Sequence, residues 1–235
     1  MMSSQNIFNT FSSVQLILDE LKKNRLFADY CYQERISKGD VLDLKNNYNN
    51  YFLLIEYGFF KLNPDINYSS KAQIFLHKGD LLLFSSQPQP IFGHPVCVAL
   101  SDAIWWKLDV TFFKAVLFAE NLTNSILIPG LNSMQEKLYI HYLKGGLNAR
   151  GRILFVIQHM EKFGFLVNKN NIELPLFFNH NILAEFSGTS KGYAIETLYD
   201  LRKQGILLSK KKPWVITDRE KFKSICIKEN IPPIT

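Results

Sequence analysis

Phe178–Leu207 reads FNHNILAEFSGTSKGYAIETLYDLRKQGIL, with the punctuation of two helices joined by a tight turn. Asn179 is a natural cap for a first helix running to about Phe186, with Ile182, Leu183 and Phe186 on its apolar face and a small Ala184 suited to a close helix crossing. Ser187-Gly188-Thr189 supplies the turn, and Ser190 caps a second helix reaching about Lys203. Ala194, Leu198 and Leu201 recur at i, i+4 and i+7 and so pack inward. Lys191, Gly192, Ile195, Glu196 and Tyr199 are left on the opposite face, the one that a helix-turn-helix presents to the DNA major groove. Gln204-Gly205 stops the helix. Ile206-Leu207-Leu208 and Trp214-Val215-Ile216 then flank Ser209-Lys210-Lys211-Lys212-Pro213, the pattern of a hairpin wing with lysines at its tip.

Any amphipathic helix pair joined by a glycine turn shares much of this pattern, and charge separates the two readings. Residues 148–235 carry 14 Lys+Arg against 8 Asp+Glu, whereas residues 1–147 carry 13 of each, so the whole formal charge of +6 lies in the end expected to meet phosphate. With 235 residues and 47% hydrophobic content the chain can bury one or two cores, and the charge asymmetry points to two domains. No apolar run approaches the ~20 residues of a membrane span. The start, MMSSQNIFNTF, lacks the basic and apolar regions of a signal peptide, so a cytoplasmic protein without membrane association is expected. Cys31, Cys97 and Cys226 lack paired spacing and read as ordinary thiols.

Residues 13–28 read as an amphipathic helix with Val14, Ile17, Leu18, Leu21 and Leu26 on one side. Short strands follow at Tyr30–Ile36, Val41–Leu44, Tyr51–Tyr57, Phe59–Leu62, Gln73–His77, Leu81–Phe84, Val96–Ala99 and Ala103–Lys107. Turns fall at Lys38-Gly39-Asp40, Asn46–Asn50, Asn63-Pro64-Asp65, Lys78-Gly79-Asp80 and Gln87–Pro90, and the spacing predicts a small jelly roll. Helical patterns resume over Phe112–Glu120 and Leu122–Leu143, the second interrupted at Pro129-Gly130. Ile126, Leu127, Met134, Leu138, Tyr139 and Tyr142 supply an apolar stripe suited to a dimer seam. Gly145-Gly146 breaks the pattern and places a hinge at Lys144–Leu147, and Asn148 caps a further helix through Phe163. The expected architecture is α+β: a helix and β-barrel sensor domain over residues 1–109, connecting and dimerisation helices with a hinge over 110–147, and a winged helix-turn-helix domain over 148–235.

This order resembles the Crp/Fnr family of bacterial transcription regulators over nearly the whole chain. Lys78-Gly79-Asp80 is similar to the family's glycine-acid turn between barrel strands. Arg150-Gly151-Arg152-Ile153 resembles the start of the first helix of its DNA-binding domain, and Gly188-x-Ser190 with Leu198-x-x-Leu201 resembles its recognition-helix frame. Tyr57-Gly58-Phe59-Phe60-Lys61-Leu62 is similar to the corresponding strand of PrfA-like virulence activators, which do not use cyclic nucleotide. The resemblance implies a cyclic-nucleotide-binding-like jelly roll, a long dimerisation helix and a homodimer that binds double-stranded DNA at a near-palindromic operator and regulates transcription, with RNA polymerase as a further partner. It implies neither cyclic AMP nor an iron–sulfur cluster here. Family members that bind the nucleotide use a Gly-Glu-Leu segment followed by Arg-Ser or Arg-Thr, whereas Leu81–Ser101 contains no Arg, Lys, Asp or Glu, so a phosphate buried there would lack its guanidinium partner. Cluster-binding members need several cysteines, and only Cys31 lies near the start.

The family's reader, Ser-Arg-Glu-Thr-Val-x-Arg, is replaced by Ser190-Lys191-Gly192-Tyr193-Ala194-Ile195-Glu196, so an operator different from the TGTGA-type half-site is expected. The residues placed at the DNA are Asn179, His180, Ser190, Lys191, Gly192, Tyr193, Ile195 and Glu196, with Lys210, Lys211 and Lys212 on the wing. Tyr193 either reaches a phosphate or packs beneath the helix. Lys61 either holds an anionic or peptide-like effector beside Tyr139 or Tyr142, or is a surface lysine on an alternating strand; a third alternative is regulation by abundance with no effector. The barrel aromatics Phe52, Tyr57, Phe59, Phe60, Phe75, Phe84, Phe92, Trp105 and Trp106 read mainly as core. A cupin-like enzyme would need an H-x-H pair with further ligands, and His77, His94, His141, His159 and His180 are scattered, so no catalytic residue, metal or cofactor is expected. The rival to a regulator is an interaction or structural protein that kept the fold but lost specific DNA or effector recognition, since Gly192 and Glu196 weaken the reader.

Overall fold

Side-chain alternation builds the first half of the chain. The computed structural model describes residues 14–44, 48, 50–63, 73–83, 95–120, 123–208 and 211–234, and two compact units divide the chain between Leu138 and Tyr139. In the first, strands β1 (Cys31–Ile36), β2 (Val41–Asp43), β3 (Tyr51–Tyr57), β4 (Phe59–Asn63), β5 (Ile74–His77), β6 (Leu81–Leu83), β7 (Val96–Ala99) and β8 (Ala103–Asp109) form two four-stranded sheets. Their orders are β1-β8-β3-β6 and β2-β7-β4-β5, with every pairing antiparallel, which is a jelly roll. The strands match the sequence expectation to within two residues; β8 runs on to Asp109 because its pairing with β1 and β3 continues there. The expected turns at Asn46–Asn50, Asn63-Pro64-Asp65 and Gln87–Pro90, with Phe84, Phe92 and His94, lie wholly or partly outside the described residues.

At its centre the β1-β8-β3-β6 sheet is covered on both faces. Leu53, Ile55 and Trp105 join Phe60, Leu62, Leu76 and Cys97 from the other sheet to fill the barrel. Trp105 stacks on Phe60 at 5.2 Å, receives Tyr48 edge-on at 5.3 Å, and donates its indole N–H to Glu34 Oε2 at 2.8 Å. On the outer face Phe52, Leu54 and Leu108 are covered by helices α1 (Val14–Lys22) and α3 (Val110–Ala119). Helix α1 stops well short of the expected residue 28: Asn24 Oδ1 accepts from Leu26 N at 3.0 Å, closing a turn, and Leu26 is exposed rather than part of the apolar face. A short helix α2 (Phe27–Tyr30) leads into β1. Helix α3 starts two residues early because Asp109 Oδ1 accepts from Thr111 N and Phe112 N, both at 2.9 Å.

Helix α4 (Thr123–Gly145) continues unbroken through Pro129-Gly130, where the sequence predicts an interruption. Ile126, Ser133 and Lys137 share one face, and all three meet the barrel unit: Ile126 is in the outer core, while Ser133 Oγ and Lys137 Nζ donate to Asp80 Oδ1 at 3.0 and 2.5 Å. Asp80, 4% exposed, closes the Lys78-Gly79-Asp80 turn by accepting from His77 N at 2.8 Å through its other oxygen. On the opposite face Ile128, Leu131, Leu138 and Tyr142 recur with coiled-coil spacing and are exposed.

In the second unit the end of α4 is followed by α5 (Ala149–Glu161), capped by Asn148 Oδ1 on Gly151 N at 2.7 Å. Helices α6 (His180–Ser187) and α7 (Lys191–Lys203) pack on it around Ile153, Leu154, Ile157, Leu183, Leu198 and Leu201. Three elements were not anticipated: strands β9 (Phe165–Leu166) and β10 (Ile172–Glu173), and helix α8 (Arg219–Lys228). The two strands complete a sheet of order β11-β10-β9 with β11 (Val215–Ile216). The wing forms where expected: Leu207 bridges Ile216, and Leu208 N donates to Val215 O at 3.0 Å.

Candidate nucleic-acid interface

Capping side chains set the geometry of α6 and α7. Asn179 Oδ1 accepts from Asn181 N and Ile182 N at 2.9 and 3.1 Å, and Ser190 Oγ accepts from Tyr193 N at 3.2 Å. Both residues, placed at the DNA by the sequence reading, thus spend their side-chain oxygens on helix starts. Gly188 takes the left-handed conformation, φ 60°, that ends α6, and Thr189 N returns to Ala184 O at 3.0 Å. Ala194, Thr197, Leu198 and Leu201 are buried, so Lys191, Gly192, Tyr193, Ile195, Glu196 and Tyr199 form the exposed face of α7.

Cations gather around this face. The His180 ring lies 4.9 Å from Trp214; burial lowers its pKa, and the nearby charges of Arg202, Lys191 and Lys212 lower it further. Lys211 and Lys212 are exposed on the wing, while Lys210 lies outside the described residues. Two cations that the sequence reading did not select support the turn from behind. Arg152 donates through Nε to Ser187 O at 2.7 Å, through Nη2 to Gly188 O at 3.3 Å and through Nη1 to Leu147 O at 3.0 Å. Lys144 Nζ reaches Phe186 O at 2.7 Å. Burial, and then the charge of Arg152, lower the Lys144 pKa. The carbonyl end of α6 carries the negative pole of its dipole, which accounts for two cations converging there. The only sequence signal was Arg152 within the Arg150–Ile153 run. Arg150 holds α5 to its neighbours through Asp200 at 3.1 Å and Glu229 at 3.2 Å.

No protein-family model matches the sequence, and no curated protein does. Solved structures match in three dimensions. A cyclic nucleotide-binding domain containing protein from Listeria monocytogenes aligns with a TM-score of 0.72 and 20% identity, over 89% of this chain and 99% of that one. A CooA variant from Carboxydothermus hydrogenoformans aligns with a TM-score of 0.63 and 20% identity, over 89% and 95%. A CRP/FNR-family transcriptional regulator from Thermus thermophilus aligns with a TM-score of 0.61 and 12% identity, over 84% and 100%. The chain has the CRP/FNR fold.

Within this CRP/FNR fold the effector residues named from sequence fall as follows. Lys61 occupies the outward row of β4, between the buried Phe60 and Leu62, with Phe75 and Val98 as its cross-strand partners. Tyr139 and Tyr142 are exposed on the last turns of α4 and belong to the second unit. Cys31, Cys97 and Cys226 are buried, and burial is the main cause that pushes each thiol up to about 12. Among the described residues no group of three His, Cys, Asp or Glu side chains is placed to hold a metal ion, and no helix is long and apolar enough to cross a membrane.

Proposed function

We propose that this chain is a sequence-specific transcription regulator that binds a near-palindromic operator as a homodimer. The observation that carries the reading is the exposed face of α7, flanked by Lys191, Lys211 and Lys212, in the unit that holds the chain's positive charge. A second copy is the occupant that best fits the free face of α4. Ile128, Leu131, Leu138 and Tyr142 line that face with seam spacing, opposite the residues that meet the barrel. Pairing there would carry two recognition helices toward successive major grooves roughly 34 Å apart. The packed barrel interior around Trp105, and a β7 strand without a charged side chain, favour an effector other than a cyclic nucleotide, or none. The dimer's further contact with RNA polymerase and its place in the cytoplasm belong to the same proposal.

Selection of random DNA fragments by the purified protein at two salt concentrations tests this reading. The expected result is a two-fold motif whose binding weakens steeply with salt; retention without any motif would favour the rival, a fold that no longer reads sequence. Lys191→Ala should cost about 1–3 kcal/mol of binding and relax preference at one base pair if the lysine reads a base. Changing Lys210, Lys211 and Lys212 to glutamine should weaken all sequences alike, lowering the slope of log K against log salt by about one for each phosphate left without its lysine. A slope unchanged by the triple substitution would take the wing off the DNA.

A further inference from the structure

Granted the DNA-binding reading above, we propose that α7 reads thymine C5-methyl groups through Ile195, with Gly192 letting the helix backbone close onto the base edges. Gly192, Ile195, Glu196 and Tyr199 follow one another at i, i+3, i+4 and i+7 on the line opposite the buried Ala194, Leu198 and Leu201. Two of these four positions expose a large apolar or aromatic side chain, Ile195 at 41% and Tyr199 at 48%. The thymine methyl is the apolar group that a major groove offers to such a side chain. Glu196 supplies only acceptors, so it fits the amino groups of cytosine or adenine and opposes guanine O6 and N7. Cations stand at the edges of this line: Lys191 begins the helix, and near its end Lys203 Nζ lies over the Tyr199 ring at 4.7 Å. That order, cation, apolar line, cation, matches phosphate, base edge, phosphate across a groove.

Gly192 adds an independent observation. It sits in the first turn of a thirteen-residue helix, where glycine is a poor helix former. A Cβ built on it meets nothing within 4 Å, and its φ is not positive, so neither packing nor backbone conformation calls for glycine. What the missing Cβ provides is a closer approach of a partner surface to the helix.

The test uses the full-length protein and the DNA it recovers from a random pool, resynthesised with uracil in place of thymine, which removes the methyl and leaves the hydrogen-bonding edge intact. Removal of each methyl that Ile195 touches should weaken binding about fourfold, and of one in each of two half-sites about fifteenfold. Ile195→Ala should bind the thymine and uracil forms alike. Gly192→Ala should raise the unfolding midpoint of the free protein and yet weaken operator binding, two changes that a purely structural glycine would not separate. Equal binding of both DNA forms by the unaltered protein would overturn the methyl readout while leaving DNA recognition standing. Unchanged affinity in Gly192→Ala would overturn the close approach. Failure to retain any DNA, with or without cell extract, would remove the underlying function as well.

Discussion

Replacing Lys137 by methionine is expected to destabilise the protein by about 3–5 kcal/mol, the usual cost of stranding one partner of a buried ion pair. Asp80 is 4% exposed, and its carboxylate is satisfied by three donors: His77 N at 2.8 Å, Ser133 Oγ at 3.0 Å and Lys137 Nζ at 2.5 Å. Only the last of these brings a positive charge. Without it the carboxylate keeps two neutral hydrogen bonds in a site that water reaches poorly, and burial of the charge is no longer offset. Asp80→Asn combined with Lys137→Met removes both charges and should restore part of the loss, so the two substitutions together cost less than their sum. Urea unfolding of the four proteins reads this directly. A Lys137→Met cost below about 1 kcal/mol, the range of exposed pairs, would mean that solvent screens the interaction. The expected loss bears on function because α4 places Lys137 on the face opposite Leu131 and Leu138. Under the proposed dimer, the ion pair that fixes α4 to the barrel also decides which face remains free for the second copy.

The sequence announced what is signalled locally and concealed what is assembled from afar. The start of each helix of the reader was legible because a short polar side chain, Asn179 or Ser190, has few other uses immediately before an apolar period. The jelly-roll strands were legible from alternation and their glycine turns. Strands β9 and β10 are two residues each, too short for any period to register. Helix α8 carries a weak signal, Asp218 as cap and two buried side chains, Phe222 and Cys226, in ten residues, too few to set a helical period apart from a loop. Asp80 and Lys137 are separated by 57 residues, and nothing near either one in sequence points to the other. Pro129 is the seventh residue of α4, past the first turn, so its ring costs the helix one i→i−4 hydrogen bond; Ile126 and Ser133 on either side of it are held against the barrel unit, and the expected break does not form. In the candidate reader the exposed face of α7 was legible from its period. The support behind it was not, because Arg152 acts through three carbonyls that carry no side-chain signature.

Arg152→Ala should therefore be the more damaging change for DNA recognition, with a stability cost of about 2–4 kcal/mol from the loss of charge-assisted hydrogen bonds to partly buried carbonyls. The guanidinium spans Ser187, Gly188 and Leu147, so it joins the turn of the reader to the segment just before α5. Arg152→Lys should fail to rescue, because an ammonium cannot present donors across that span. Amide exchange at Gly188 and Thr189, whose N–H groups donate to Glu185 O and Ala184 O at the end of α6, should accelerate in both variants. If the reader is a DNA-binding element, operator affinity should fall at least about tenfold in both, because the seating of α7 depends on that turn. Unchanged exchange would mean that the turn holds its shape without the clamp. The coupling with Lys144 has the opposite sign to that between Asp80 and Lys137. Lys144 and Arg152 are like charges over one helix end, and the proximity of Arg152 lowers the Lys144 pKa. Each single substitution removes its own hydrogen bonds but relieves the repulsion felt by the other cation; the double change, Lys144→Met with Arg152→Ala, gains that relief only once. It should thus cost more than the sum of the singles, by roughly 0.5–1 kcal/mol. A double variant costing the sum of the singles would show that the two cations do not feel each other and that the clamp is two separate interactions, and one costing less would show that they support the turn cooperatively; either outcome would overturn the repulsion.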